Sequence, residues 1–166
     1  MADAVDAVLE LWRAERPDLD PWPTGIVGRI GRLARVLDRE QRAYLAEHDL
    51  EVWEFDVLAT LRRSGPPYEL TAGALIKAAL VSSGAITKRM DRLEKRGLIE
   101  RIRDDADRRS VKARLTPRGH EVVDEVFPAH IRQGERLLAS LPPEERDHLA
   151  ATLRGLLEAL GDTSLD

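Results

Sequence analysis

Arginine side chains are concentrated in the stretch RIRDDADRRSVKARLTPRG, residues 101–119. Two segments that alternate apolar and charged residues, LIERIR and SVKARLT, bracket the turn DDADRR, and this pattern predicts a β-hairpin. Guanidinium groups on a hairpin tip can enter a narrow minor groove of DNA, where negative potential attracts arginine. We therefore predict that Arg108 and Arg109 contact DNA and that Asp107 holds Arg109 in an extended pose.

The segment GAITKRMDRLEKRG, just before this hairpin, predicts a helix with one charged face. On a helical wheel, Ile86, Met90, Leu93 and Gly97 share a narrow arc and are predicted to pack inward. A helix with Lys and Arg on its opposite arc fits the major groove, about 12 Å wide, where these side chains reach guanine edges or phosphates. The DNA contacts predicted for this segment are Ser83, Thr87, Lys88, Arg92 and Lys95.

The charge of the chain is distributed unevenly. Residues 82–118 hold 12 Lys or Arg and 6 Asp or Glu, out of 26 and 30 in the whole chain, whose net charge is −4. A basic segment on an acidic body is typical of a nucleic-acid-binding protein. The alternative, a solvated helix face beside a charged turn, is left open by charge alone.

Composition excludes several classes of protein. With 166 residues the chain fits one domain, and with no cysteine it has neither disulfides nor thiolate chemistry. No apolar run approaches the roughly 18 residues of a membrane span, and the acidic amino terminus does not resemble a secretory signal. These features predict a cytoplasmic protein.

No motif for catalysis, a metal or a cofactor is present. The histidines are dispersed without metal-ligand spacing: His48, His120, His130 and His148. Gly25, Gly28 and Gly31 form an i, i+3 row inside a predicted helix, which favours close helix packing over a phosphate loop. We predict no enzymatic activity, no cofactor and no metal site.

Helical periodicity and capping residues place the remaining elements. The first predicted helix runs from about Ala2 to Arg16, the second starts from an N-cap at Thr24, and the third starts near Glu51. The fourth is capped by Thr71, and the fifth runs from a cap at Ser82 or Ser83 to Gly97. The sixth starts at Thr116 and Pro117 with a bend at Pro128, and the last ends near Gly161. The predicted fold is mainly α with a small β-hairpin (α+β), a winged helix–turn–helix between terminal helices.

The segment ITKRMDRLEKRGLIERIRDDADRRSVKARLTPRG resembles the core of MarR-type transcriptional regulators. Its LEKRGLI junction, its D-x-R turn and the LTPRG start of the next helix carry the resemblance. The resemblance implies one domain over residues 1–166, with dimerisation helices at about 1–47 and 117–161 and the winged helix–turn–helix at about 48–116. It also implies a homodimer that presents two recognition helices, roughly 34 Å apart, to a pseudo-palindromic operator.

A narrower resemblance covers the amino terminus, where a helix bearing a tryptophan, ELWRAERPDLDP, is similar to the branch of this family that senses urate and related anions. The resemblance implies an effector site formed by Trp12, Asp56, Arg89 and Arg101. It further implies a repressor that a small anionic aromatic metabolite, such as urate, releases from DNA.

These residue types suit a planar anion on physical grounds. Trp12 offers a flat surface for stacking, and Arg89 lies off the DNA-facing arc of its helix. Asp56 borders an apolar face and needs a cationic partner, for which Arg101 is a candidate. An anion bound to both arginines would repel Asp56 and shift the recognition helix, which lowers the affinity for DNA.

Three alternatives stay open. In the first, Trp12 is only a core anchor, and Asp56 forms only a structural ion pair with Arg89 or Arg101. In the second, the regulator responds to a different anion or a phenolic compound and controls efflux or stress genes. In the third, the winged helix serves protein contacts alone, in which case its wing requires neither Arg108 nor Arg109.

Overall fold

The computed structural model describes residues 2–78, 86–103 and 111–163. Its elements, in chain order, are α1 (Ala4–Glu15), α2 (Trp22–Glu47), α3 (Val52–Arg63), β1 (Glu69–Thr71), α4 (Ala72–Ala78), α5 (Ile86–Lys95), β2 (Ile99–Arg103), β3 (Val111–Leu115), α6 (Pro117–Leu137) and α7 (Pro143–Ala159). The mainly helical class with a small antiparallel sheet is confirmed.

The chain divides into two compact units, Met1–Ala43 and Tyr44–Asp166, and each is described by itself. In the first unit, α1 begins after Asp3, whose carboxylate accepts hydrogen bonds from the backbone N–H groups of Val5 and Asp6. This cap satisfies donors that the first helical turn leaves without partners.

Two glycines allow α1 and α2 to approach closely within the first unit. A Cβ added at Gly25 would lie 3.3 Å from Leu9 Cδ1, and one at Gly28 would lie 3.4 Å from Val5 Cγ1. The packing role predicted for the glycine row is thus confirmed at these two positions. Gly31 has no atom within 4 Å of such a Cβ.

The predicted start of α2 at Thr24 is wrong. The helix begins at Trp22, whose N–H donates to the Asp20 carboxylate at 3.2 Å. Pro23 therefore lies in the first turn, where backbone N–H groups have no intrahelical acceptor, so the lack of an N–H on proline costs no hydrogen bond.

The second unit contains the main hydrophobic core, built from α3, α4, α5, the sheet and the first half of α6. Its fully buried side chains include Leu58, Leu61, Leu75, Leu93 and Val123. Aliphatic residues dominate this core, as the low aromatic content of the chain requires.

The sheet has three antiparallel strands in the order β1-β3-β2. The predicted hairpin strands are confirmed, with Ile99 opposite Leu115 and Arg103 opposite Val111. The third strand, β1, was not predicted; its Glu69 forms an ion pair with Arg114 at 2.6 Å across the sheet.

The capping predictions for α6 are confirmed. Thr116 Oγ1 accepts a hydrogen bond from the Gly119 N–H at 3.0 Å, and Pro117 occupies the first turn. Pro128 lies inside α6 without ending it, so the bend predicted there stays a prediction. Across the part of the chain that the structure describes, none of the helices combines the length and apolar character needed to cross a membrane.

Candidate nucleic-acid interface and effector site

Helix α5 faces the core with the apolar arc that the sequence predicts. Ile86, Met90 and Leu93 are buried. Gly97 does not pack inward as predicted, because it lies beyond the helix end with a φ of +68°, and it is exposed. The left-handed backbone at this position favours glycine and closes the helix.

The outward face of α5 carries Thr87, Lys88 and Lys95, which are exposed. Among the residues that the structure describes, neither lysine has an ion-pair partner. Both cations are therefore available to a polyanion such as duplex DNA.

One flank of α5 is bound to the start of α3 by a group that we call the Glu54 cluster: Asp49, Glu51, Trp53, Glu54, Arg92 and Arg96. Glu54 is fully buried, and its Oε2 accepts from Arg96 Nη1 at 2.7 Å and from the Glu51 N–H at 2.9 Å. Arg96 also donates to the Asp49 carboxylate at 2.9 Å. These bonds compensate a carboxylate that burial would otherwise destabilise.

Arg92, predicted to contact DNA, lies in this cluster. It forms an ion pair with Glu51 at 2.5 Å, approaches Glu54 Oε1 at 3.4 Å, and stands 5.4 Å from the centre of the Trp53 ring. The Trp53 N–H and Arg92 together lower the pKa of Glu51. The helical wheel does not show this contact with α3, and the predicted contact of Arg92 with DNA stays a prediction.

Glu51 and Glu54 were not predicted as site residues, although one signal for them was present. The two residues have the spacing of a capping box at the start of α3, and Glu54 does accept from the Glu51 backbone N–H. A capping glutamate also carries a charge, which two arginines one helical turn apart on α5 can compensate.

The opposite flank of α5 is bound to the first strand of the wing, which we define as β2, residues 104–110 and β3. Arg101 Nη2 donates to Asp91 Oδ1 at 2.5 Å and to the Thr87 carbonyl at 3.1 Å. Its Nε lies 3.5 Å from Glu94 Oε2. The expectation that Arg101 is the partner of Asp56 is therefore wrong in this structure, because nearer carboxylates on α5 bind it first.

Asp56 lies on α3, two residues after Glu54, and is partly buried. Burial raises the pKa of its carboxyl group, while the nearby charges of His130, Arg63 and Arg89 act in the opposite direction. Among the described residues the Asp56 carboxylate has no hydrogen bond and no ion pair. Of the predicted effector-binding residues, the structure thus brings Arg89 and Asp56 into one neighbourhood.

Arg89 is held over the Trp53 ring, with its guanidinium carbon 5.3 Å from the ring centre. Its Nη1 is buried and has no hydrogen-bond partner among the described residues. Arg89 and Arg101 therefore occupy opposite flanks of α5. Among the described residues no hydrogen bond or ion pair joins these two arginines, and a shared effector site for them stays a prediction.

Trp12 belongs to the first unit, where its side chain is 51% exposed. It lines a groove of about 370 Å³ with Leu19, Pro21 and Pro23 among its neighbours. The alternative that Trp12 is a core anchor is not supported by this exposure.

Several predicted residues lie outside the described part of the chain. They are Ser83, with the alternative cap Ser82, and the wing-tip residues Asp107, Arg108 and Arg109. No group of His, Asp or Glu side chains with the makings of a metal site occurs within residues 2–78, 86–103 and 111–163.

A compact junction joins the end of α5 to the base of the wing and to α6. Thr116 Oγ1 donates to the Gly97 carbonyl at 2.7 Å, and the Thr116 N–H donates to the Leu98 carbonyl at 3.2 Å. A Cβ at Gly119 would lie 2.0 Å from the Leu98 carbonyl oxygen, so only glycine fits there. The recognition helix is thus fixed at both flanks and at its end.

Comparison with known proteins identifies this architecture. A family model described as the MarR family matches residues 48–110. The transcriptional regulator PecS of Dickeya dadantii is 36% identical over 149 residues, which cover 90% of each chain. The chain belongs to the MarR family.

Solved structures of MarR-family regulators share the winged helix–turn–helix fold. A Streptomyces coelicolor member solved in complex with DNA aligns with a TM-score of 0.75 and 25% identity, over 83% of this chain and 88% of that one. Bordetella bronchiseptica BpsR, whose DNA binding is regulated by 6-hydroxynicotinic acid, aligns with a TM-score of 0.64 and 27% identity, over 77% of this chain and 98% of that one. This MarR-family chain is a transcriptional regulator.

Proposed function

We propose that the chain represses transcription as a homodimer bound to a pseudo-palindromic operator, with α5 in the major groove and the wing tip in the minor groove. The observation that carries this proposal is the outward face of α5. Thr87, Lys88 and Lys95 are exposed there, whereas both flanks of the helix are held by ion pairs. Arg108 and Arg109 at the wing tip supply the minor-groove contacts in this proposal.

Exposed apolar side chains support the homodimer. Helix α7 has no buried residue in the single chain, although it carries Leu149, Leu153, Leu156 and Leu157. Large apolar side chains are also exposed along α2, from Trp22 to Leu37. Apolar surfaces of this extent are typical of subunit interfaces, and a second copy of the chain would cover them.

Fluorescence anisotropy with DNA from upstream of the protein's own gene tests the DNA-binding proposal. Replacing Lys88 or Lys95 by Gln should weaken binding and reduce the slope of log affinity against log salt by about 0.9 for each phosphate that is no longer neutralised. Arg109→Ala should have the same two effects. Arg62→Gln is the control and should change neither quantity, because the partly exposed Arg62 side chain lies on α3 and pairs with Asp124 of α6.

A protein that stays monomeric and ignores this DNA even at low salt contradicts the proposal. A winged helix that serves only protein contacts would give that result.

We further propose that a small planar aromatic anion, of which urate is one candidate, releases the regulator from DNA. The support is that the charge of Arg89 acts on the Asp56 carboxyl group, that Nη1 of Arg89 is buried without a hydrogen-bond partner, and that the Asp56 carboxylate forms no ion pair among the described residues. Because Arg89 is part of α5, an anion bound to it acts directly on the recognition helix. The regulation of BpsR by 6-hydroxynicotinic acid shows that a relative responds to a ligand of this chemical class.

Isothermal titration of urate with and without operator DNA tests this coupling. Linkage requires that DNA weakens urate binding by the same factor by which urate weakens DNA binding, about 5- to 150-fold for a typical allosteric protein. Equal urate affinities in both titrations would contradict the coupling.

A second candidate effector follows from the position of Arg101. Since Arg101 is already paired with Asp91, an effector that needs only one arginine, such as a monoanionic phenolic acid, has a complete site without it. Salicylate displacing the regulator from DNA at lower concentration than urate would favour this candidate. The contributions of Trp12 and Arg101 to effector binding stay predictions.

A further inference from the structure

The Asp56 carboxylate on α3 lies within electrostatic reach of Arg89 on α5 and of His130 on α6, and we call these three side chains of the second unit the open trio. His130 and Arg89 are among the charges that act on the Asp56 carboxyl group. The sequence motifs pointed to Asp56 and Arg89 but gave His130 no role.

Each member of the open trio has a polar group without a partner among the described residues. Nδ1 of His130 and Nη1 of Arg89 are buried and make no hydrogen bond. The carboxylate of the partly buried Asp56 has neither a hydrogen bond nor an ion pair among the described residues. Buried polar groups in native proteins are nearly always satisfied, so these two buried nitrogens beside an unpaired carboxylate indicate a missing polar partner.

Aromatic neighbours fix two of these side chains in place. The His130 ring lies 4.9 Å from the ring of Phe55, the residue before Asp56, and 6.4 Å from the ring of Phe127. Arg89 is held over Trp53 in the same way. The polar atoms of the open trio are therefore preorganised, which lowers the entropic cost of binding a ligand.

The chemistry of the open trio selects a class of ligand. Arg89 only donates hydrogen bonds, an ionised Asp56 only accepts them, and His130 Nδ1 can do either. A ligand that satisfies all three must carry donor and acceptor atoms side by side on a compact, flat framework. A heteroaromatic anion with ring N–H and C=O groups meets this requirement, whereas a benzoate-type anion offers no ring donor.

We propose that His130 is a specificity-determining residue of the effector site, which hydrogen-bonds the ring edge of a planar heteroaromatic anion held by Asp56 and Arg89. This inference rests on the proposed effector response, and it adds a third protein element, α6, to the site. It also assigns the ligand class by its ring N–H and C=O groups.

Calorimetry without DNA tests the inference, with urate as the heteroaromatic probe and benzoate as an aromatic anion that has no hydrogen-bond donor on its ring. His130→Phe should weaken urate binding about 3- to 10-fold, the factor expected for the loss of one hydrogen bond, and should leave benzoate binding unchanged. His130→Asn, whose amide can replace Nδ1, should retain most of the urate affinity.

His120→Phe is the matched control. His120 also lies on α6 and packs against an aromatic ring, with its centroid 4.3 Å from that of Tyr68, so its replacement tests loss of a stacked histidine as such. It should leave the affinity for urate unchanged. Thermal melts without ligand verify that all variants are folded.

Two outcomes overturn the inference. One is that the wild-type protein does not bind urate, and the other is that His130→Phe weakens urate and benzoate equally, as a mere packing residue would. Operator binding by ligand-free His130→Phe is measured separately. If His130→Phe binds the operator normally while calorimetry gives one of these two outcomes, the inference fails and the DNA-binding proposal stands. If the wild-type protein binds no operator, the proposed function fails, whatever calorimetry shows for urate.

Discussion

Glu54 and Asp56 are carboxylates two residues apart on α3, but their surroundings differ. Glu54 is fully buried and is compensated by Arg96, by the Glu51 backbone N–H and by the nearby Arg92. Asp56 is only partly buried, and its carboxylate has neither a hydrogen bond nor an ion pair among the described residues. A charge that the protein itself compensates holds the recognition helix in place, whereas one left open is available to a ligand.

The largest effect should come from removing the compensated charge. Glu54→Ala leaves Arg96 with only Asp49 and removes the cap of α3, so it should destabilise the protein by about 3 kcal/mol. For a chain of this length that corresponds to a fall in melting temperature of roughly 6–12 °C. Glu121→Ala, at an exposed site on α6, is the control and should stay within about 0.5 kcal/mol of the wild type.

A second prediction separates positioning from DNA contact on α5. Arg92→Gln should weaken operator binding about threefold to tenfold, because α5 loses its ion pair with Glu51, but it should leave the salt dependence unchanged. Lys88→Gln should instead reduce the salt slope by about 0.9. The measurement is anisotropy over a series of salt concentrations, and a reduced slope for Arg92→Gln would mean that Arg92 contacts phosphate.

The third prediction concerns the open charge. Asp56→Asn removes a partly buried carboxylate without a partner, so it should stabilise the ligand-free protein at neutral pH. The expected gain is only about 0.5–1 kcal/mol, because solvent screens much of the charge at this partly exposed site. The same change should weaken urate binding. Urea denaturation measures the first effect and calorimetry the second; a loss of stability would show that Asp56 is structurally compensated after all.

The smallest effect is the pH dependence of that gain in stability. Burial raises the pKa of Asp56 in the folded protein above its ordinary value of 3.8, so the folded state binds the proton more tightly. The stability of the wild type relative to that of Asp56→Asn should therefore fall as pH rises from about 3.8 through the raised pKa of Asp56. Urea denaturation at several pH values should give equal stabilities below this window and a constant difference above it.

Local patterns in the sequence predicted much of the fold. The inward arc of α5, the hairpin strands, the Thr116 cap and the end of α5 at Gly97 all depend on residues within a few positions of one another. Strand β1 was missed because three residues are too few to show alternation, and its ion pair with Arg114 spans the sheet.

Partners distant in sequence limited the prediction of the site. The wheel of α5 did not reveal the ion pair of Arg92 with Glu51 on one flank, or that Arg101 of the wing pairs with Asp91 rather than with Asp56 on the other. Asp56 and Arg89 were predicted from a family resemblance. His130 carried no sequence signal, because its relevance comes from a position on α6 beside Phe55.

The glycine at position 119 has a consequence for how a bound effector could reach DNA. There the start of α6 touches the Leu98 carbonyl backbone to backbone, and no rotatable side chain is present to absorb a small displacement. A ligand that displaces α6 through His130 would therefore tilt the C-terminal end of α5 directly. The stiffness of this single contact would determine how much of the displacement is transmitted to the DNA-binding helix.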